Sequence, residues 1–125
     1  MIEAKDPLSE QVIGLAIEVH RTLGPGLLES IYELALCHEL QLAGFHYHRQ
    51  REIDVCYKGQ SLGSGFRADI IVSGCLALEL KTADRISEFH VARLLTYLRL
   101  IEIKRGLVLN VNAMPLKNGI RRISI

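Results

Sequence analysis

Apolar residues recur at Val12, Ile13, Ala16, Val19 and Leu23, the spacing of one face of an α-helix. Asp6-Pro7 ahead of them supplies a capping acid and a proline at the first helical position, where its missing N–H costs nothing. A helix is therefore predicted over 7–22, and Gly24-Pro25-Gly26 must end it. A second stripe, Leu28, Ile31, Ala35 and Leu42, runs to Gly44, a good C-terminal stop. From His46 the period changes: Ile53, Val55 and Tyr57 alternate with polar residues, and Lys58-Gly59 offers a turn. Phe66 to Val72 and Leu76 to Lys81 are β-rich runs joined by Ser73-Gly74-Cys75. Ser87 can cap a third helix that carries Val91, Leu94, Leu95 and Leu98 on one side. Gly106 to Val111 reads as a short apolar strand, Lys117-Asn118-Gly119 as a turn and Ile120 to Ile125 as a final edge strand. The order ααβββαβ(β), with no linker to divide it, predicts one α/β domain over 1–125 with helices on both faces of a sheet.

Composition narrows the picture. A chain of 125 residues, 49% hydrophobic and 23% charged, can bury a core without disulfide staples and is not of disordered composition. No apolar run approaches the ~18 residues of a membrane span. The segment Met1 to Pro7 lacks a basic region followed by an apolar stretch, so a cytoplasmic protein is expected. Cys37, Cys56 and Cys75 are odd in number and form no CxxC pair, which argues against a disulfide framework or a zinc site. They are expected to be buried small hydrophobes. Net charge is +1 but unevenly spread. Residues 1–45 hold two basic and seven acidic side chains, and residues 81–125 nine basic and three acidic. A basic carboxy-terminal part could present a face to phosphates, or be solvated surface.

Chemistry gathers in the hairpin. Along Leu76 to Lys81, Glu79 and Lys81 point to one face and the leucines to the other. If the loop is the three residues 73–75, Asp69 lies directly across from Glu79; a two-residue loop would put it opposite Leu78 instead. Two carboxylates that close raise each other's pKa and cost several kcal/mol to desolvate. Mg²⁺ relieves that cost with a few carboxylate oxygens and retained waters, and an adjacent lysine can orient water or stabilise a phosphate. The alternative is a structural Asp–Lys–Glu ion-pair network.

Glu29 and Tyr32 share one face of the second helix. Glu29 can deliver a third carboxylate, or simply complement the helix dipole. Arg93 and Tyr97, four apart, project together and could hold a nucleic-acid phosphate, or be a surface arginine over a half-buried ring. His46 and His48 read as a solvated strand edge beside Arg49 and Arg51, and His20 and His90 have no evident partners. There is no P-loop and no GxGxxG.

Taken together, the segment Val19 to Tyr32, with Gly26-Leu-Leu-Glu29-Ser-Ile-Tyr32 at its end, resembles the signature of the small bacterial GxxExxY proteins of the PD-(D/E)xK nuclease superfamily. The likeness continues through Tyr57-Lys58-Gly59, Phe66 to Asp69, Leu78 to Lys81, Leu94 to Leu98, Gly106-Leu107 and Gly119 to Arg122, nearly the whole chain in order. It implies a restriction-endonuclease-like three-layer fold, a central mixed sheet flanked by helices. It implies phosphodiester hydrolysis with Mg²⁺ or Mn²⁺, Asp69 and Glu79 as metal ligands, Lys81 positioning water and Glu29 as the helix-borne acid. Many recombination-type members carry a Gln and a Tyr one helical turn apart; Tyr97 matches, but the Gln position holds Arg93. Arg only donates hydrogen bonds where Gln also accepts them, so a non-cleaving binding module is the rival expectation. Nucleic acid, DNA before RNA, is the expected partner. Tyr32, Arg93, Tyr97, Arg121 and Arg122 are the expected substrate contacts, and a homodimer, a structured substrate or a partner protein the expected source of recognition.

Overall fold

The computed structural model describes residues 6–125; residues 1–5, part of the segment read above for a leader, lie outside it. Helix α1 (Pro7–Leu23) starts as predicted: Asp6 adopts an extended backbone and its carboxylate accepts the Ser9 N–H. Helix α2 (Glu29–Leu42) ends where Gly44 takes a left-handed φ of 83°, letting the Phe45 N–H reach back to the Leu40 carbonyl. Its buried face is Tyr32, Glu33, Leu36, Cys37 and Leu40. That corrects the predicted stripe, because Leu28 and Leu42 are 73% and 69% exposed and Ile31 also faces out. Helix α2 is apolar on two sides, so periodicity alone chose the wrong one.

Five strands form one mixed sheet in sequential order: β1 (Tyr47–Tyr57), β2 (Gln60–Val72), β3 (Leu76–Lys81), β4 (Arg105–Asn110) and β5 (Ile120–Ser124). Strand β2 begins six residues earlier than predicted, because the two-residue turn Lys58-Gly59, both at positive φ, lets pairing start at Tyr57 with Gln60. Only β3 and β4 run parallel, so the chain must cross the sheet between them, and it does so through α3 (Glu88–Ile101). Ser87 caps α3, accepting the His90 N–H while the His90 ring accepts the Ser87 N–H, which gives His90 its partner. A short 3₁₀ turn, Leu116–Gly119, leads into β5.

Two cores sandwich the sheet. Helices α1 and α2 cover Ile70, Val72, Leu76, Leu78, Leu80, Leu107 and Leu109. Leu94, Tyr97 and Leu98 of α3 cover Ile71, Ala77, Val108 and Ile123 on the other side. This is the predicted layering. Among the described residues no helix is long and apolar enough to cross a membrane.

Candidate active site

The pairs Ile70–Leu78 and Val72–Leu76 fix the hairpin loop at three residues and exclude the two-residue alternative. The next position along β2 is Asp69 and the next along β3 is Glu79. Regular pairing stops there. The Leu80 N–H donates to Asp69 Oδ2 at 2.9 Å, so a side-chain carboxylate occupies the place of a ladder carbonyl as the strands part. Glu79 is 6% exposed, and Lys81 Nζ lies 3.7 Å from its Oε2. Burial first, then the neighbouring Asp69 charge, pushes the Glu79 carboxyl up to about 7, although Lys81 and Arg93 favour its ionised form. Burial also raises Asp69, against the Leu80 N–H, Lys81, Gln50 and Arg93.

Helix α2 brings two acids to this opening. Glu29 opens the helix, where burial raises its carboxyl and the charges of Asp69 and Glu33 add to the rise. Lys81 and the Thr82 backbone amide oppose it. These couplings put Glu29 within electrostatic range of Asp69 and Lys81, a placement the helix dipole alone would not require. Glu33, one turn on, was missed by sequence reasoning although it shares a helix face with Glu29 at i+4. It is 4% exposed, accepting from Arg49 Nε at 2.6 Å and from Gln50 Nε2 at 2.7 Å.

The same Gln50 amide lies 3.4 Å from Asp69 Oδ1, so it spans the two acids. Gln50 sits in mid-strand at φ 54° and drops out of the β1–β2 pairing between Arg49–Ile70 and Arg51–Ala68. A left-handed, non-glycine residue there costs about 1–2 kcal/mol and persists only where its surroundings hold it. No composition or spacing signal marks it in the sequence.

Arg93 and Tyr97 of α3 face the same region. Tyr97 is buried and stacks on Phe66 of β2, ring centroids 3.7 Å apart and planes within 8°. Arg93 Nε donates to the Tyr97 hydroxyl, and its guanidinium lies 5.3 Å from the ring centroid. Tyr97 is first among the influences that raise the Arg93 pKa, with Glu79 and Asp69 adding to it. Among the described residues Arg93 forms no ion pair with either acid.

Other expected contacts are not drawn in. Tyr32 is 1% exposed and its hydroxyl bridges the Gly24 carbonyl and the Leu27 N–H, so it secures the α1–α2 turn and cannot reach a substrate. Arg121 and Arg122 alternate across β5: Arg122 pairs with Glu10 of α1 at 2.9 Å, while Arg121 points to the α3 side. Cys37 is buried as expected, but Cys56 and Cys75 are exposed, because the outer end of β1 and the hairpin loop have no layer above them. His48 is exposed, as read, and His20 Nε2 lies 3.0 Å from the Val111 carbonyl oxygen.

Whether a divalent metal suits this site turns on the donors. Asp69, Glu79 and Glu29 offer hard oxygens whose carboxyls burial raises, with the Asp69 charge adding to the rise at Glu79 and Glu29, the environment a hard cation relieves. Among the described residues no three His, Cys, Asp or Glu side chains form a ready-made metal cage. Carboxylate oxygens are the donors suited to an ion that takes a few of them and keeps its waters, as Mg²⁺ does.

A mixed sheet of this order, flanked by helices and carrying a buried D-x9-E-x-K set at a parting of its central strands, is the architecture of a restriction-endonuclease-like domain. A family profile described as the PD-(D/E)XK nuclease superfamily matches residues 6–123, and the chain belongs to that superfamily. Searches among curated proteins and among solved structures returned no match.

Proposed function

We propose that this protein is a Mg²⁺- or Mn²⁺-dependent nuclease of the GxxExxY group, acting on DNA in preference to RNA in the cytoplasm. The observation that carries the reading is the pair of buried, raised-pKa carboxylates, Asp69 and Glu79, at the point where β2 and β3 part, with Lys81 Nζ 3.7 Å from Glu79. Asp69 and Glu79 would hold the ion, with Glu29 acting directly or through water. When bound, the ion supplies Lewis-acid stabilisation of charge on phosphate oxygens and a lowered water pKa.

The chain's own residues do the rest. Lys81 carries its ammonium beside the phosphate, orients the attacking water and offsets charge as it develops. Arg93 presents guanidinium N–H groups to non-bridging phosphate oxygens, with its Nε held by Tyr97. Arg121 extends the cationic surface on the α3 side. Phosphate contacts carry no sequence information, so base selectivity should be low. One site per chain serves one strand; a homodimer would bring a second site to the other strand of a duplex, and sedimentation of the protein with and without DNA tests it.

Arg93 favours a second reading, a non-cleaving nucleic-acid- or protein-binding member, because a fixed cation near Asp69 and Glu79 competes with metal. Incubation with single-stranded, duplex and branched DNA and with RNA, in Mg²⁺ or Mn²⁺, decides between them. Cleavage should fall at least 100-fold in Lys81→Ala and in Glu79→Gln. Cleavage that survives both changes would exclude this site as its source. Binding without cleavage in the wild type would favour the second reading.

A further inference from the structure

A cavity of about 480 Å³ opens between the loop that follows β3 and the segment joining β4 to β5. Its polar lining includes Arg85 and Asp84 from the first, Asn112 and Asn118 from the second, and Arg121 from β5 beside them. Both arginines are exposed, and among the described residues neither forms an ion pair, not even with Asp84. Two unpartnered guanidinium groups with amide donors around one concavity match an oxyanion with several acceptor oxygens.

The register locates the cavity relative to the acids. Glu79 lies opposite Val108, and Val108 lies opposite Arg121, so Glu79 and Arg121 share the α3 face two strands apart. Adjacent strands are about 4.8 Å apart, which separates those backbones by roughly 10 Å. Successive phosphates of one duplex strand lie roughly 7 Å apart, because the axial rise of about 3.4 Å is combined with winding about the axis, so this is about one to two nucleotides.

The floor of the cavity is fixed before any ligand arrives. The buried Asn110 side chain accepts the Ala83 N–H at 3.2 Å and donates to the Ala83 carbonyl at 2.8 Å, pinning the arginine-bearing loop to the end of β4. Gly119 packs so closely that an added Cβ would meet the Asn110 carbonyl oxygen at 2.6 Å. Such preorganisation lowers the ordering cost of binding.

We infer that this cavity is a phosphate subsite of the nucleic-acid strand: Arg85 and Arg121 grip a phosphodiester one to two nucleotides from the bond to be cut, and Asn112 and Asn118 donate to its oxygens. The subsite rests on the nuclease reading, and it sets the direction in which the strand leaves the cleavage centre, from β3 across β4 toward β5. Asp84 is the one acid in the lining and limits affinity there.

The test is fluorescence anisotropy of a labelled DNA 20-mer, single-stranded and duplex, with the full chain in metal-free buffer between 50 and 200 mM salt. Arg85→Ala and Arg121→Ala should each weaken binding about 3- to 10-fold and lower the slope of log K against log salt by about one. Asp84→Asn should tighten binding. Arg21→Ala removes the same charge from α1, on the far layer, and should change binding less than about twofold; circular dichroism melts check that each variant folds. Wild-type-like binding and salt slope in both cavity variants would overturn the subsite, and so would an equal loss in Arg21→Ala. Cleavage by wild type against Lys81→Ala is read separately, so the subsite can fail while the nuclease reading stands. Wild type that binds neither DNA form would overturn the subsite as well.

Discussion

Burial carries the Glu79 carboxyl well away from the behaviour of an ordinary glutamate. Buried beside Asp69, it stays protonated to about pH 7 in the metal-free protein, against 4.5 for an ordinary glutamate. The folded state thus prefers the neutral acid. Its contribution to stability is full below pH 4.5 and is lost as pH rises through 7, a swing on the order of 3 kcal/mol. Glu79→Gln keeps the size and removes the titration. In EDTA, urea melts from pH 5 to 8 should show the variant gaining on wild type as pH rises; parallel pH profiles would show that Glu79 ionises freely. Gln50 offers a second check. Gln50→Ala leaves Glu33 Oε1, buried, without its 2.7 Å donor and should cost about 1–3 kcal/mol in thermal melts at pH 7. Gln50→Gly loses the same amide but relieves the left-handed backbone, so its loss should be smaller by about 1 kcal/mol.

At the scale of elements, α2 shows how a helix can mislead. Its aliphatic residues lie on both sides, and the side that packs is chosen by Tyr32, Leu36 and Leu40 meeting the sheet. Leu36→Ala should therefore cost about 2–5 kcal/mol by urea denaturation, whereas Leu28→Ser, at a position 73% exposed, should stay within about 0.5 kcal/mol. Comparable losses at both would put the core on the wrong face. The cap of α3 was plain from Ser87, and the hairpin from Ser73-Gly74-Cys75, because both depend on residues adjacent in the chain. The early start of β2 was not, since Gln60 to Gly65 are exposed and their pairing with β1 depends on the partner strand.

For the molecule as a whole, three layers converge on one opening: β2 and β3 supply Asp69, Glu79 and Lys81, α2 supplies Glu29 and Glu33, and α3 supplies Arg93. An ion held there by the folded chain alone would stabilise it, by about 2.7 kcal/mol at 100 times the dissociation constant. Melts with Mg²⁺ titrated against an EDTA control should show a rising midpoint that Asp69→Asn abolishes. An unchanged wild-type midpoint at high Mg²⁺ would leave the carboxylates without an ion to hold. Read by itself, the sequence determined the order of elements, the facing of Asp69 and Glu79 once the loop is three residues, and the side-chain alternation that puts Lys81 with Glu79. Strand and turn geometry are local, so these features are written in consecutive residues. Only the tertiary structure decided which side of α2 is buried, that Tyr32 braces a turn, that Arg121 and Arg122 serve opposite faces, and that Glu33 and Gln50 join the site. Those depend on contacts between residues far apart in the chain, where burial and one shared hydrogen bond outweigh any preference a residue carries alone.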